Sequence, residues 1–512
     1  MRNLYIFAIG GSGERIFHSF LMLAAGGMQL NIQGRVHPIF IDTDSNAKSL
    51  IDVQNLLNEY RKIRANLYDT NYADGGTNCV DGISKKMFSV DIENAESFVM
   101  PGAALNNLSS LIEDSGNEIL SEDGKAELEM LYDQELLQMP LDYGFVGVPS
   151  LGSVALNYIL ESNNMNQLLA TISPDDGIYI IGSINGGTGA AGLPLLLNKF
   201  KLLKGATINQ FYAGALSLLP YFKFDDGHAI TPPPAMADFF HLLDATTFDA
   251  KTKAALSYYA NRINGLSAVY FLGVPENYRT KVVKAIGGPD QSQTADYIEV
   301  IAARSVFHFA DSAPKVQNEN AIPEYYQYSL INNSFRTPGT QSYCLSDIPD
   351  SEVARCFVRS ELYYYIVNQK LSSFLTNTSI TYGARLGVNA GNTTFLNPYR
   401  NLLKTYFQKY QDWKDGLKQN THGIAFDFVD SSINSVEETK VMSKFIPSLA
   451  TTHLEGVIGF RHEEITDPGI INFMNNVVRS NIPQSQRLKT LNYSIEYSIE
   501  KILNDPQKSK IL

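Results

Sequence analysis

The chain has 512 residues, 44% hydrophobic and 18% charged, which suits a globular protein of roughly two to four domains. Lys and Arg total 41 against 53 Asp and Glu, a net charge of −12, which argues against broad, non-specific nucleic-acid binding. Its three cysteines (Cys79, Cys344, Cys356) and eight scattered histidines show no disulfide or metal-ligand spacing, so no metal site is expected.

The first apolar run is too short for a signal peptide, and no run approaches the ~18 residues of a membrane helix. A soluble, cytoplasmic protein is expected. Leu4 to Ile9 reads as a strand closed by Gly10-Gly11-Ser12-Gly13, with a helix over Arg15 to Ala25 carrying Ile16, Phe20 and Leu23 on one side. Val36 to Ile41 is a second strand. It ends in Asp42-Thr43-Asp44-Ser45-Asn46, where Asp42 could accept a ribose hydroxyl or the segment could simply cap a helix.

Residues 49–141 differ in character, with polar stretches between short helical patterns. They read as a mostly helical insertion, either a surface elaboration or a face for a protein partner. From Tyr143 to Ser153 a glycine-containing loop enters a helix near Pro149 and Ser150, a phosphate-facing helix end or a plain cap.

Ile178 to Ile181 is a buried strand, followed by Ser183-Ile184-Asn185-Gly186-Gly187-Thr188-Gly189-Ala190-Ala191-Gly192 and an apolar helix to Phe200. Strand, glycine turn and helix together crowd backbone N–H groups around an anion at a positive helix end. A tight connection without ligand would use the same residues. Beyond it lie a strand region at 207–219, a loop with three prolines at 232–234, and helices over 235–263. A strand at 268–274, the turn Pro275-Glu276-Asn277 and a long helix over 294–310 follow.

An irregular stretch over 312–350 ends in Asp347-Ile348-Pro349-Asp350, followed by a helix over 352–371. Residues 351–490 read as a second domain, with strands at 424–429 and 457–460 and a helix over 399–414. Residues 491–512 form a tail with a helix over 493–503.

Placed in order, these turns resemble the tubulin/FtsZ family of GTPases over residues 4–370. Asn185 to Gly192 is similar to its GGGTG[ST]G signature, Phe40 to Ala47 to the INTDAQAL segment, and Pro220 to Gly227 to KPFxFEG. Asp347 to Asp350 resembles the NxDxxD loop, while Glu14 stands where the family usually has a base-contacting Asn.

The resemblance implies an α/β, tubulin/FtsZ-like Rossmann-type nucleotide-binding domain over 1–311, with a central helix and a smaller α+β C-terminal domain. Gly10, Gly11, Ser12 and Gly13, with Asn185, Gly186, Gly187, Thr188 and Gly189, would cradle the phosphates of GTP or GDP. Gly147 and Ser150 would face the γ-phosphate, and Asn277 and Asp296 the ribose and base. Mg²⁺ would accompany the phosphates, largely water-coordinated. Head-to-tail self-assembly into filaments would bring Asp347 and Asp350 of one subunit to the attacking water of the next. The insertion or tail could hold a further protein partner. Two other readings stay open: a scaffold of the same fold that holds nucleotide without hydrolysing it, and a Rossmann-type NAD(P) oxidoreductase, against which the missing GxGxxG spacing speaks.

Overall fold

A computed structural model describes residues 1–67, 86–100, 107–114, 121–260, 262–288, 294–329, 343–344, 351–372, 396–419, 426–427 and 487–504. The frame begins with β1 (Leu4–Ile9), whose six residues are all buried, as a strand covered on both faces requires. It runs directly into α1 (Gly10–Ala25). Next come β2 (Val36–Ile41), α2 (Lys48–Leu67) and β3 (Glu96–Phe98), then the short helices α3 (Leu108–Asp114), α4 (Glu122–Leu131) and α5 (Gln134–Gln138). After α6 (Pro149–Leu160) and α7 (Asn163–Thr171), β4 (Gly177–Ser183) leads into α8 (Thr188–Lys204). The chain continues through β5 (Tyr212–Leu218), β6 (Phe222–Ala229), α9 (Phe248–Tyr259), β7 (Ala268–Gly273), β8 (Thr280–Lys284), α10 (Tyr297–Ser312) and β9 (Glu324–Ser329).

Seven strands form one parallel sheet in the order β3-β2-β1-β4-β5-β7-β9, with helices on both faces, an α/β Rossmann-like architecture. Leu4 pairs with Val36 on one side and Gly177 on the other. The winding therefore reverses between β1 and β4, and in open parallel sheets the crevice at such a reversal is where ligands bind.

One face of the sheet is covered by α1, α2 and α10. Over these lies a further helical layer: α11 (Ser351–Tyr365, continued as a π-helical turn over Ile366–Lys370), α12 (Leu396–Gln419) and α13 (Arg487–Leu503). Trp413 in α12 stacks on Phe357 in α11, ring centroids 5.3 Å apart, and its Nε1–H donates to Ser19 Oγ in α1 at 3.3 Å. The other face carries α6, α7 and α8 around a second core.

Several expectations need correction. The span read as an insertion supplies α2, which buries Leu50, Val53, Leu56, Leu57, Tyr60 and Ile63 against the frame, and β3, which extends the sheet. The long helix expected over 294–310 is present as α10; it packs on the sheet, with Phe309 against Tyr179 at 4.9 Å, and leads into the seventh strand. The loop expected before the three prolines contains β6, which pairs with β8 in a separate parallel ribbon. In the C-terminal region the described helices share the first core of the sheet, and the strand at 426–427 makes a two-residue pair with 343–344. The strand expected at 457–460 lies outside the described residues.

The tail helix is not a free arm. Residues 491–500 of α13 are all buried, polar ones included, because each finds a partner. Asn492 Oδ1 accepts from the Tyr363 and Tyr399 hydroxyls at 2.6 and 2.9 Å. Glu496 accepts from the Lys86 and Met87 backbone N–H groups at 3.0 and 3.2 Å. Glu500 pairs with the fully buried Arg359 at 2.5 Å.

Candidate functional site

A cleft of about 170 Å³ opens at the C-terminal ends of β1, β2 and β4, at the reversal point. Of the residues singled out in the sequence, Gly10, Gly11, Ser12, Asp42, Gly147, Asn185, Gly186, Gly187, Thr188 and Gly189 line it together. The two glycine turns touch: a Cβ on Gly10, which sits at φ +68°, would stand 3.3 Å from Thr188 Cβ. Gly187 is tighter, since a Cβ there would fall 2.6 Å from Phe145 Cβ. Only glycine lets these turns interlock.

Two helices start on this cleft with no side-chain cap, α1 after Ile9 and α8 after Gly187, and the turn that leads into a third uncapped start, α6 after Val148, lines it as far as Gly147. Asp133, Ser162 and Asp296 by contrast cap α5, α7 and α10. The first N–H groups of a helix have no intrahelical acceptor, and together with the helix dipole they favour an anion. The turn before α6 holds Val146 at φ 46°, a left-handed conformation that a β-branched residue adopts only at a cost of roughly 1–2 kcal/mol. Phe145 is wedged between the starts of α6 and α8, close to Gly152 and Gly187.

The sequence reading missed a cation here. Lys251 Nζ in α9 lies 3.0 Å from where a Cβ on Gly147 would stand. Half-burial lowers its pKa, with the Asp244 charge opposing. It also missed Arg15, whose guanidinium Nε–H donates to Glu299 Oε1 at 2.7 Å and which also bonds the Tyr221 hydroxyl. Burial opposes the charge on Arg15, but Tyr221 and Glu299 outweigh it and raise its pKa.

Asp42, at the tip of β2, accepts from the Thr43 and Asp44 N–H groups at 2.6 and 3.2 Å. Burial nonetheless pushes its carboxyl up to about 7, with the Asp44 charge adding to the effect. Asp44 is raised by burial too, and it accepts from the Asn46 and Gly288 N–H groups. Glu14 is fully buried behind Ser49, whose hydroxyl donates to Oε2 at 2.6 Å; its Oε1 has no hydrogen-bond partner. Burial, then the Asp42 charge, hold its pKa well above the usual range.

The remaining expected ligands lie elsewhere. Gly13 faces the β1 backbone, where a Cβ would meet the Ala8 carbonyl carbon at 2.9 Å. Ser150 is exposed in the first turn of α6, and its carbonyl accepts from the Tyr132 hydroxyl at 2.8 Å. Asn277 is exposed on the short turn Glu276–Tyr278. Asp296 is buried as half of a capping box with Glu299 and accepts from the Thr280 hydroxyl. Burial, then the Glu299 charge, push its carboxyl up to about 7. Asp347 and Asp350 lie outside the described residues. Among the described residues no three His, Cys, Asp or Glu side chains are grouped to hold a metal, and no helix is long and apolar enough to cross a membrane.

The cleft's far wall is apolar, formed by Phe222 and Phe224 of β6, Phe248 of α9, Leu243, Val283 and Ile286. A second cavity, of about 430 Å³, shares Arg15 and Ser49 with the cleft and extends past Glu299 to Trp413 and Gly416 of α12.

No protein-family model and no curated protein sequence matches the chain. Among solved structures it is similar to CetZ2 from Haloferax volcanii, a GTPγS-bound protofilament, at 14% identity and a TM-score of 0.29. That alignment covers 60% of this chain and 58% of the other, so the chain spans less than two thirds of the length of the protein it matches.

Proposed function

We propose that the chain binds a nucleoside triphosphate, with the phosphates held at the reversal point between β1 and β4. The observation that carries this reading is the convergence of two uncapped helix starts, with the turn that precedes a third, on one glycine-lined cleft. Backbone N–H groups of the turns after β1 and β4 hold the phosphate oxygens, Thr188 adds its hydroxyl, and Lys251 stands beside the turn that faces the last phosphate. The described residues build no three-ligand metal site, so Mg²⁺ would enter on phosphate oxygens and water.

In the tubulin/FtsZ-like form of this reading, GTP is hydrolysed when copies of the chain stack head to tail in the cytoplasm. The cleft itself supports a need for outside help. Its carboxylates, Asp42 and Asp44, are turned to backbone N–H groups rather than left to orient a water. A second reading, a scaffold that holds nucleotide without turning it over, draws on the same observation.

Phosphate release measured across protein concentrations separates the two. Assembly-coupled hydrolysis gives a rate per molecule that climbs with concentration and drops at least tenfold in Asp350→Ala. A flat, negligible rate with nucleotide still bound leaves the scaffold. Failure to bind any triphosphate ends both readings.

A further inference from the structure

The cleft has two chemically different ends, and the apolar one suggests what the triphosphate is attached to. Phe222 and Phe224 are two apart on β6 and so share a strand face. Their rings lie 6.0 Å apart, and each meets Phe248 edge-on, at 5.4 and 5.7 Å. Phe222 and Phe224 are only half-buried, so ring surface remains open beside Leu243, Val283 and Ile286. Phe248 and Lys251 are three apart on α9 and share a helix face, which joins this wall to the turn at Gly147. The Tyr259 hydroxyl at the end of α9 donates to the Ala190 carbonyl in α8 at 2.7 Å, fixing one end of the cleft against the other.

Several of the described polar side chains nearby are engaged with one another or with backbone. Arg15, Glu299 and Tyr221 bond one another, Ser49 donates to Glu14, Ser183 donates to Asn185, and Asp42 and Asp44 accept backbone N–H groups. Among the described residues, those at the apolar end itself, Phe222, Phe224, Leu243, Phe248, Val283 and Ile286, have no side-chain donor or acceptor to read the edge of a base. An apolar pocket gains from a flat ring but discriminates weakly between rings of about equal size that differ only in their polar edge groups.

We propose that the base of the bound nucleotide lies against Phe222, Phe224 and Phe248, and that this site accepts adenine and guanine nucleotides alike. The proposal rests on the triphosphate reading above. It departs from a guanine-specific site in the residues that would do the reading.

The test is calorimetric titration of the full chain with GTPγS, ATPγS and inorganic tripolyphosphate, using wild type, Phe224→Ala and Phe224→Leu. The two nucleotides should bind within about tenfold of each other, and each about tenfold tighter than tripolyphosphate. Phe224→Ala should remove most of that tenfold gain and leave tripolyphosphate affinity unchanged. If the alanine variant does not fold, Phe224→Leu decides, with an expected loss of about threefold for both nucleotides alone. A preference above a hundredfold for one purine overturns the proposal. So do nucleotides that bind no tighter than tripolyphosphate, or that lose no affinity in a folded Phe224 variant. Failure of all three ligands to bind overturns the triphosphate reading itself.

Discussion

The two ends of the cleft are made of different material. The end at Gly10 and Gly187 is made largely by backbone, with turns so close to Thr188 and Phe145 that a Cβ on either glycine would crowd them. The end at Phe224 and Phe248 is made by side chains from a strand and a helix, 24 positions apart in the chain. The first end should therefore suffer from added atoms and the second from removed ones.

The largest expected effect follows from adding a single methyl group. Gly187→Ala puts a Cβ 2.6 Å from Phe145 Cβ, so the turn before α6 must move away from the start of α8. Tripolyphosphate affinity should drop about a hundredfold, or about 2.7 kcal/mol. An unchanged dissociation constant would show that the two turns do not act together. Next is Lys251→Ala, expected to weaken tripolyphosphate about tenfold, since the lost interaction is charge-assisted. Binding that is insensitive to Lys251 but sensitive to Gly187 would make the phosphate end a purely backbone device.

A smaller effect concerns pH. Asp42 titrates near 7 in the folded protein against an ordinary 3.8, so it is protonated below pH 7 and charged above. A bound anion disfavours the charged form, so phosphate affinity should fall about three- to fivefold from pH 6 to pH 8, and Asp42→Asn should flatten that slope. By the same shift the folded chain holds a proton that the unfolded chain has released between about pH 4 and 7. Stability from this group is thus lost as pH rises through that window. The smallest effect belongs outside the cleft: Met130→Ser, at a residue 86% exposed on α4, should change stability by no more than about 0.5 kcal/mol and leave binding alone.

The backbone-made end was legible in the sequence because its requirement is local. A buried strand, glycines without room for a Cβ and a helix occupy adjacent positions, so one stretch of chain states the whole motif. The side-chain end was not, because Phe224 and Phe248 are joined only by tertiary contact. Asp296 carried its own correction. Asp at one position and Glu three later is a capping signature, and the structure uses both for the helix start rather than for a ligand. The helix expected at 493–503 is present, but its burial was not legible for a related reason. Its Asn, Ser and Glu residues look like a solvated surface until Arg359, 141 positions before Glu500, is seen beside it.

That last helix has a consequence for how the protein is made. Glu496 satisfies backbone groups at Lys86 and Met87, 410 and 409 positions earlier in the chain. While the ribosome is still translating the intervening residues, the outer side of α2 lacks its cover. The emerging polypeptide must wait on this helix, exposed to chaperones and proteases, before these layers can close.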